Sequence, residues 1–235
     1  MLKPTLTLAA LTLSSLALGQ AVRGSDVNVT SGGRAYKSYL AAPASATRKP
    51  AVILLHSFRG LEQGYRDLVD EMAAAGYVTL ALGWQTFEQE PSDATVKTLI
   101  EDGLKYLSAR SDVNINTVGL TGFCAGGRYT MLLLPQMKGF KAGVAWYGFP
   151  DQGGTAAKPQ APSAFINQLT APMLIIHGTR DQPSPIASIY ASRGSWTPRT
   201  RISSSACTRV SHTVSCSRTA ASPTPSPAAT PGATC

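Results

Sequence analysis

Short apolar runs that alternate with helical segments are the feature that most constrains the fold of this chain. Five runs are continuous and apolar, as is typical of strands buried in a parallel sheet: PAVILLH (50–56), YVTLAL (77–82), TVGLTGF (117–123), KAGVAWYG (141–148) and PMLIIHG (172–178). Helices are expected over 65–76, 93–110 and 128–137. Ahead of them, residues 26–43 should form an antiparallel hairpin that turns at Gly32 and Gly33. The alternation predicts an α/β fold, with a mostly parallel sheet and helices on both faces.

The segment GLTGFCAGG places a cysteine between a predicted strand and the following helix. The segment 122–126 is a G-x-nucleophile-x-G elbow with Cys124 in the central position. The turn strains the central residue, and Gly122 and Gly126 avoid clashes with the neighbouring strand and helix. The amide end of the helix favours a thiolate at Cys124, and the N–H of Ala125 is suited to an oxyanion donor. A buried structural cysteine beside a glycine turn is the alternative interpretation.

GFCAGGR, together with AWYGFP and PMLIIHGTRD, resembles the dienelactone hydrolases of the α/β-hydrolase fold over residues 25–190. The resemblance implies a Cys–His–Asp triad that cleaves lactones or small esters without a metal or cofactor. It implies that Asp181, in GTRDQP, is the triad carboxylate; an aspartate that only forms a turn or cap is the alternative. It also implies that the Phe58 N–H, in LLHSFRGL, is the second oxyanion donor beside Ala125. Ser57 stands where dienelactone hydrolases carry a glutamate, which leaves a small carboxyl ester open as the substrate beside a lactone.

None of the three histidines lies in a segment that matches the family pattern for the triad base. His56 and His177 each close a strand, and we interpret both as residues that support loops. His212 follows Asp181 in the order that the family implies, but it lies in CTRVSHTVSC. The family pattern around the base is close to Val-Tyr-x-Gly-x-x-His-Gly-Phe, which this segment does not match.

The codons that can encode residues 206–216 permit the missing pattern in another reading frame. Triplets read from the last base of one codon and the first two bases of the next allow Val-Tyr-x-Gly-x-Pro-His-Gly-Phe, and the other shift allows no such string. We therefore interpret the chain as frame-shifted from a point between Gln182 and Ser195. The alternative is a genuine Ser/Pro-rich tail whose codons match the pattern by chance.

Residues 191–235 differ in composition from the rest of the chain. Ser, Thr, Ala and Pro make up 30 of these 45 residues, and acidic residues are absent. Such a segment buries too little apolar surface to offset the entropy lost on ordering, so the sequence predicts a disordered tail. The hydrolase domain is then expected to lack its last strand and helix.

The net charge of +8 is concentrated in the same tail. Residues 191–235 carry five arginines and no acid, whereas residues 1–190 carry 16 basic and 13 acidic residues. Because no basic-aromatic stripe or nucleic-acid motif accompanies the charge, the sequence argues against nucleic-acid binding.

The first nineteen residues have the pattern of a secretory signal peptide. Lys3 precedes an apolar run over 6–18, and small residues follow at cleavage-site spacing up to Gly19. A membrane anchor is the alternative, but the run is short for a full span. We expect a secreted or periplasmic protein with no stable membrane span after cleavage.

Together these features predict a secreted hydrolase that cleaves a lactone or small carboxyl ester through Cys124. Its expected partner is that small-molecule substrate. The alternative is a catalytically inactive remnant or a binding protein, because the triad histidine is missing.

Overall fold

The structure is a computed structural model that describes residues 21–45, 47–192, 200–210 and 213–217; beyond residue 202 only the backbone is described. The predicted signal segment, 1–19, and His212 lie outside the described residues. Within the described ranges, no helix combines the length and apolar character needed to cross a membrane.

A nine-stranded sheet runs through the described residues in the order β1-β2-β4-β3-β5-β6-β7-β8-β9. The strands are β1 (Val22–Ser31), β2 (Arg34–Pro43), β3 (Lys49–Leu55), β4 (Val78–Leu82), β5 (Val113–Phe123), β6 (Phe140–Trp146), β7 (Met173–Gly178), β8 (Thr200–Val210) and β9 (Thr213–Ser217). Neighbours from β4 to β8 pair in parallel, whereas β1, β2 and β9 pair antiparallel. The α/β-hydrolase fold with a mostly parallel sheet is confirmed.

Helices cover both faces of the sheet, as predicted. They are α1 (Gln63–Ala74), α2 (Asp93–Ser108), α3 (Ala125–Leu133) and α4 (Ile186–Ala191). The sheet separates two hydrophobic cores. Successive residues of β3 enter them alternately, because neighbouring side chains of a strand point to opposite faces. Ile53 and Leu55 belong to the core that contains buried residues of α2, α3 and α4, whereas Leu54 packs with Val69 and Ala73 of α1.

The antiparallel hairpin turns where the sequence predicts. Gly32 and Gly33 both have positive φ, at 54° and 75°, and Ser31 pairs with Arg34 across them. A two-residue turn with both central φ values positive matches the twist of the flanking strands and favours glycine.

The structure corrects the expectation that the domain lacks its last strand and that all of 191–235 is disordered. Backbone residues 200–210 form β8, which pairs in parallel with β7 from Met173↔Thr200 to Gly178↔Ser205. Without β8, the edge of β7 would leave its backbone N–H and C=O groups unpaired. A strand that pairs with them uses its own backbone, so β8 can form without an apolar side-chain pattern. Residues 213–217 form β9, which pairs antiparallel with β8, whereas 193–199, 211–212 and 218–235 lie outside the described residues. The frame shift stays a prediction.

Candidate active site

Cys124 occupies a strained corner between β5 and α3. Its backbone has φ 55° and ψ −114°, a region that residues with a side chain seldom adopt. Its N–H donates to the Trp146 carbonyl of β6 at 3.0 Å, which holds the corner against the sheet. The free thiol is half-buried and lies at the N-terminus of α3, where backbone N–H groups have no partner one turn earlier.

The two glycines of the elbow allow this close packing of backbone. A Cβ at Gly126 would lie 2.6 Å from the His56 carbonyl oxygen and closer still to that of Leu55. A Cβ at Gly122 would lie 2.6 Å from Thr130 Oγ1. Side chains at these positions would therefore push α3 away from β3 and β5.

The peptide group between Ser57 and Phe58 is fixed through its carbonyl. The Ser57 oxygen accepts from His56 Nδ1 at 2.7 Å and from the Gly60 N–H at 3.2 Å. Because a trans peptide directs its N–H away from its C=O, the Phe58 N–H points away from both donors. Within the described part of the chain, this N–H has no acceptor.

The neighbouring peptide groups are hydrogen-bonded on both sides. The preceding one donates its N–H to the Tyr65 hydroxyl at 3.1 Å and accepts from Trp84 Nε1 at 3.2 Å. The following one accepts from the side-chain amides of Gln85 and Gln89, at 3.1 and 2.9 Å, and donates to Ser57 Oγ at 3.3 Å. The Phe58 N–H is thus the one donor that these three successive peptides leave open.

Phe58 and Ala125 line the same small cleft at the carboxyl end of the sheet. Ala125 is the first residue of α3, so its N–H has no carbonyl one turn earlier to bind. The structure therefore brings together the two residues that the sequence predicts as oxyanion donors.

Asp181 lies in the loop that follows β7, with its side chain 19% exposed. Its Oδ1 accepts from the Ser184 N–H at 3.0 Å, and its own N–H donates to the Gly178 carbonyl at 3.3 Å. One carboxylate oxygen is therefore used to form the loop. The other, Oδ2, lies 3.9 Å from His177 Nε2, which is too long for a hydrogen bond.

The two described histidines are buried, and each bonds a backbone carbonyl through one ring nitrogen. His56 is buried, stacks on Trp84 with ring centroids 4.8 Å apart, and donates Nδ1–H to Ser57. Burial lowers the pKa of His56 to about 4, so the ring is neutral at pH 7. His177 is also buried, and its Nε2 bonds the Ser184 carbonyl at 2.6 Å.

Two tyrosines that the sequence did not nominate border the site. Tyr147, just after β6, has φ 38°, and its phenol interacts electrostatically with Tyr65, Cys124 and Asp181. The pKa of Tyr147 is raised, first by burial and then by these neighbours. Tyr147 is therefore within electrostatic range of both Cys124 and Asp181. AWYGFP was visible in the sequence, but Tyr65 gave no signal because it lies on the apolar side of a helix.

Arg128 anchors α3 behind the cleft. Its guanidinium is 1% exposed and forms two bonds with Asp93 at the start of α2, at 2.6 and 3.1 Å. It also donates to the carbonyls of Gln152 and Gln160. These bonds join α2, α3 and the loop before β7. No group of three or more His, Cys, Asp or Glu suited to a metal occurs among the described residues.

The sequence matches the dienelactone hydrolase family over residues 36–82 and 81–193. The chain belongs to this family. It is accordingly a lactone or ester hydrolase by descent, with a small-molecule substrate. A Bradyrhizobium sp protein named for 2-oxo-3-(5-oxofuran-2-ylidene)propanoate lactonase activity is 30% identical, over 66% of this chain and 68% of the relative.

Other relatives of the dienelactone hydrolase family agree in sequence and fold. A Methylorubrum extorquens protein named for carboxymethylenebutenolidase activity is 28% identical over 65% of this chain; the chain spans 58% of that relative, less than two thirds. A crystal structure described as a dienelactone hydrolase, from Klebsiella pneumoniae, superimposes with a TM-score of 0.74 at 24% identity, covering 79% of this chain and 85% of the other. At this identity, the superposition shows the fold alone.

Proposed function

We propose that this dienelactone hydrolase relative cleaves a small carboxyl ester or lactone through Cys124. The observation that carries the proposal is the open Phe58 N–H beside Ala125 and the strained cysteine. A loop that satisfies the adjacent peptide groups and leaves the Phe58 N–H open has a donor ready for a developing charge.

The chemistry proceeds in two steps. Cys124 Sγ attacks the carbonyl carbon, and the negative charge that develops on the carbonyl oxygen is held by the N–H groups of Phe58 and Ala125. The tetrahedral intermediate expels the alcohol oxygen, which takes up a proton, and a thioester remains on Cys124. Water then attacks the thioester, releases the carboxylic acid and restores the thiol.

Asp181 is proposed to orient a histidine base from its loop after β7. Neither His56 nor His177 fits that role, because each uses a ring nitrogen to hold a backbone carbonyl and is buried. The base is then the histidine of the shifted reading frame, which follows the region of β8 in the chain. This assignment rests on the codon pattern.

Acylation by an activated ester tests the proposal on the chain as written. A thiol at this site should release one equivalent of p-nitrophenolate from p-nitrophenyl acetate in a burst, leaving an acetyl group on the Cys124 peptide. Cys124→Ser should abolish this burst, and mass spectrometry should place the acetyl group. An equal burst from Cys124→Ser, or no burst from the wild type, would refute the cysteine nucleophile.

The location of the enzyme is proposed from the first nineteen residues alone. Their charged start and apolar run support export and cleavage near Gly19. N-terminal sequencing of protein recovered from outside the cytoplasm, after expression in a bacterium, tests this. An uncleaved protein confined to the cytoplasm would contradict it.

A further inference from the structure

His56 is buried, but it makes specific polar contacts that a residue filling the core does not need. The residue is 1% exposed, and its Nδ1 forms a hydrogen bond with the carbonyl of the next residue, Ser57. Since a carbonyl can only accept, Nδ1 carries the proton and donates. The stack on Trp84, with planes 14° apart, fixes the plane of the ring.

The Trp84 contact makes the arrangement more rigid. The same indole donates Nε1–H to the carbonyl of His56 while its face supports the His56 ring. Both the backbone and the side chain of His56 are thereby anchored to the segment after β4. The Nδ1 donor is consequently held at one point in the loop.

A donor at that point sets the direction of the Phe58 N–H. The Ser57 carbonyl and the Phe58 N–H belong to one planar group, so a hydrogen bond that holds the oxygen also aims the N–H. A donor on the carbonyl further polarises the peptide and strengthens its N–H as a donor. The Ser57 N–H is bound to Tyr65, so it does not compete for the same position.

We propose that His56 is a positioning residue, which holds the Ser57–Phe58 peptide so that the Phe58 N–H faces the reacting carbonyl oxygen. His56 acts through this peptide and does not touch the substrate. The inference rests on the proposed function, because Phe58 matters only where an oxyanion forms.

Two variants separate the Nδ1 donor from the bulk of the ring. His56→Phe keeps an aromatic ring to stack on Trp84 and removes the donor. His56→Asn places an amide N–H near the position of Nδ1 and gives up the stack. Thermal melts of both establish that each variant is folded.

Acylation and alkylation of Cys124 distinguish positioning from a general disturbance. Acylation by p-nitrophenyl acetate passes through an oxyanion, whereas alkylation by iodoacetamide displaces iodide at a saturated carbon and forms none. We expect His56→Phe to slow acylation by about tenfold to a hundredfold, since loss of a full oxyanion donor costs about a hundredfold or more. Alkylation should keep the wild-type rate, and His56→Asn should recover most of the acylation rate.

The amide resonance of Phe58 gives a readout that does not depend on activity. In ¹H–¹⁵N spectra it should move in His56→Phe and return towards the wild-type position in His56→Asn. An unchanged Phe58 amide, or equal losses of acylation and alkylation, would overturn the positioning role. If the wild type is alkylated but never acylated, the proposed function fails and the catalytic part of this proposal fails with it. The Phe58 resonance then still shows whether His56 holds the Ser57–Phe58 peptide.

Discussion

At the scale of single residues, the site combines backbone strain with backbone hydrogen bonds that hold the strained residues. Cys124 and Tyr147 are the two residues other than glycine with positive φ in the described ranges, and both follow neighbouring parallel strands. Backbone bonds hold each of them: Cys124 N–H to Trp146, and Tyr147 N–H to Ile176 at 2.7 Å. Hydrogen bonds to the neighbouring strands therefore keep both residues in their strained backbone conformations.

The buried His56 should make stability depend on pH. Its pKa is lowered by burial from an unfolded value of 6.5 to about 4, so below pH 6.5 the unfolded chain takes up the proton first. Above pH 6.5 the ring is neutral in both states, so the free energy of unfolding keeps its full value. As the pH falls from 6.5 towards 4, the unfolded chain is stabilised by the proton and the free energy of unfolding decreases. We expect a loss of about 3 kcal/mol in the free energy of unfolding over this interval.

Denaturant titrations at pH 7 and pH 4 measure this loss, with His56→Asn as the matched control. The variant retains a donor to Ser57 but has no titrating ring, so its own loss should be smaller by about the same 3 kcal/mol. Identical losses in the two proteins would show that His56 does not control the acid sensitivity.

Motif residues could be nominated from the sequence, but residues that act across elements could not. Cys124, Ala125, Phe58 and Asp181 follow strands, so their place at the carboxyl edge was predictable. The bond from Ser57 to the Tyr65 hydroxyl joins a loop to a helix face, and no spacing in the sequence encodes it. The catalytic roles themselves stay predictions.

At the scale of elements, the elbow depends on the contact between α3 and β3. Gly126→Ala would press a methyl group against the backbone carbonyls of Leu55 and His56, where no flexible side chain can yield. We expect a destabilisation of about 1–3 kcal/mol, together with slower acylation because the carbonyl of His56 moves. Gly64→Ala on α1, where nothing lies within 4 Å, is the control and should gain up to about 1 kcal/mol. Equal melting temperatures for the two variants would contradict this account.

Elements with strong apolar patterns were predicted well, and the strands β8 and β9 at the C-terminal edge of the sheet were not. The run 50–56 became β3, Lys49–Leu55, and the segment 93–110 became α2, Asp93–Ser108. Ser92 caps α2 by accepting from the Thr95 N–H, a local device that fixes its start. The strand β8 escaped prediction because its pairing uses backbone groups of β7, which any non-proline sequence can satisfy.

At the scale of the whole molecule, the site and the open apolar surface are separate. A groove of about 530 Å³ lies on the side of the sheet that carries α1, lined by Leu68, Met72 and residues of β3, β5 and β6. It runs along the bodies of the strands from Thr117 to Phe123, whereas ligand sites in parallel sheets lie beyond the carboxyl ends. Phe58 and Ala125 instead follow the carboxyl ends of β3 and β5.

Turnover by the whole molecule should depend on the reading frame beyond the slip point between Gln182 and Ser195. General-base help contributes about a hundredfold to ten-thousandfold, so a chain without the family histidine should acylate Cys124 and then turn over only in traces. Three proteins test this on p-nitrophenyl acetate: the written chain, its His212→Ala variant and the frame-restored chain. We expect the first two to be equally slow and the restored chain to be faster by at least about a hundredfold, because a histidine just after β8 would lie on the same edge of the sheet as Asp181. If His212→Ala abolished a substantial turnover in the written chain, the frame shift and the assignment of the base would both be wrong.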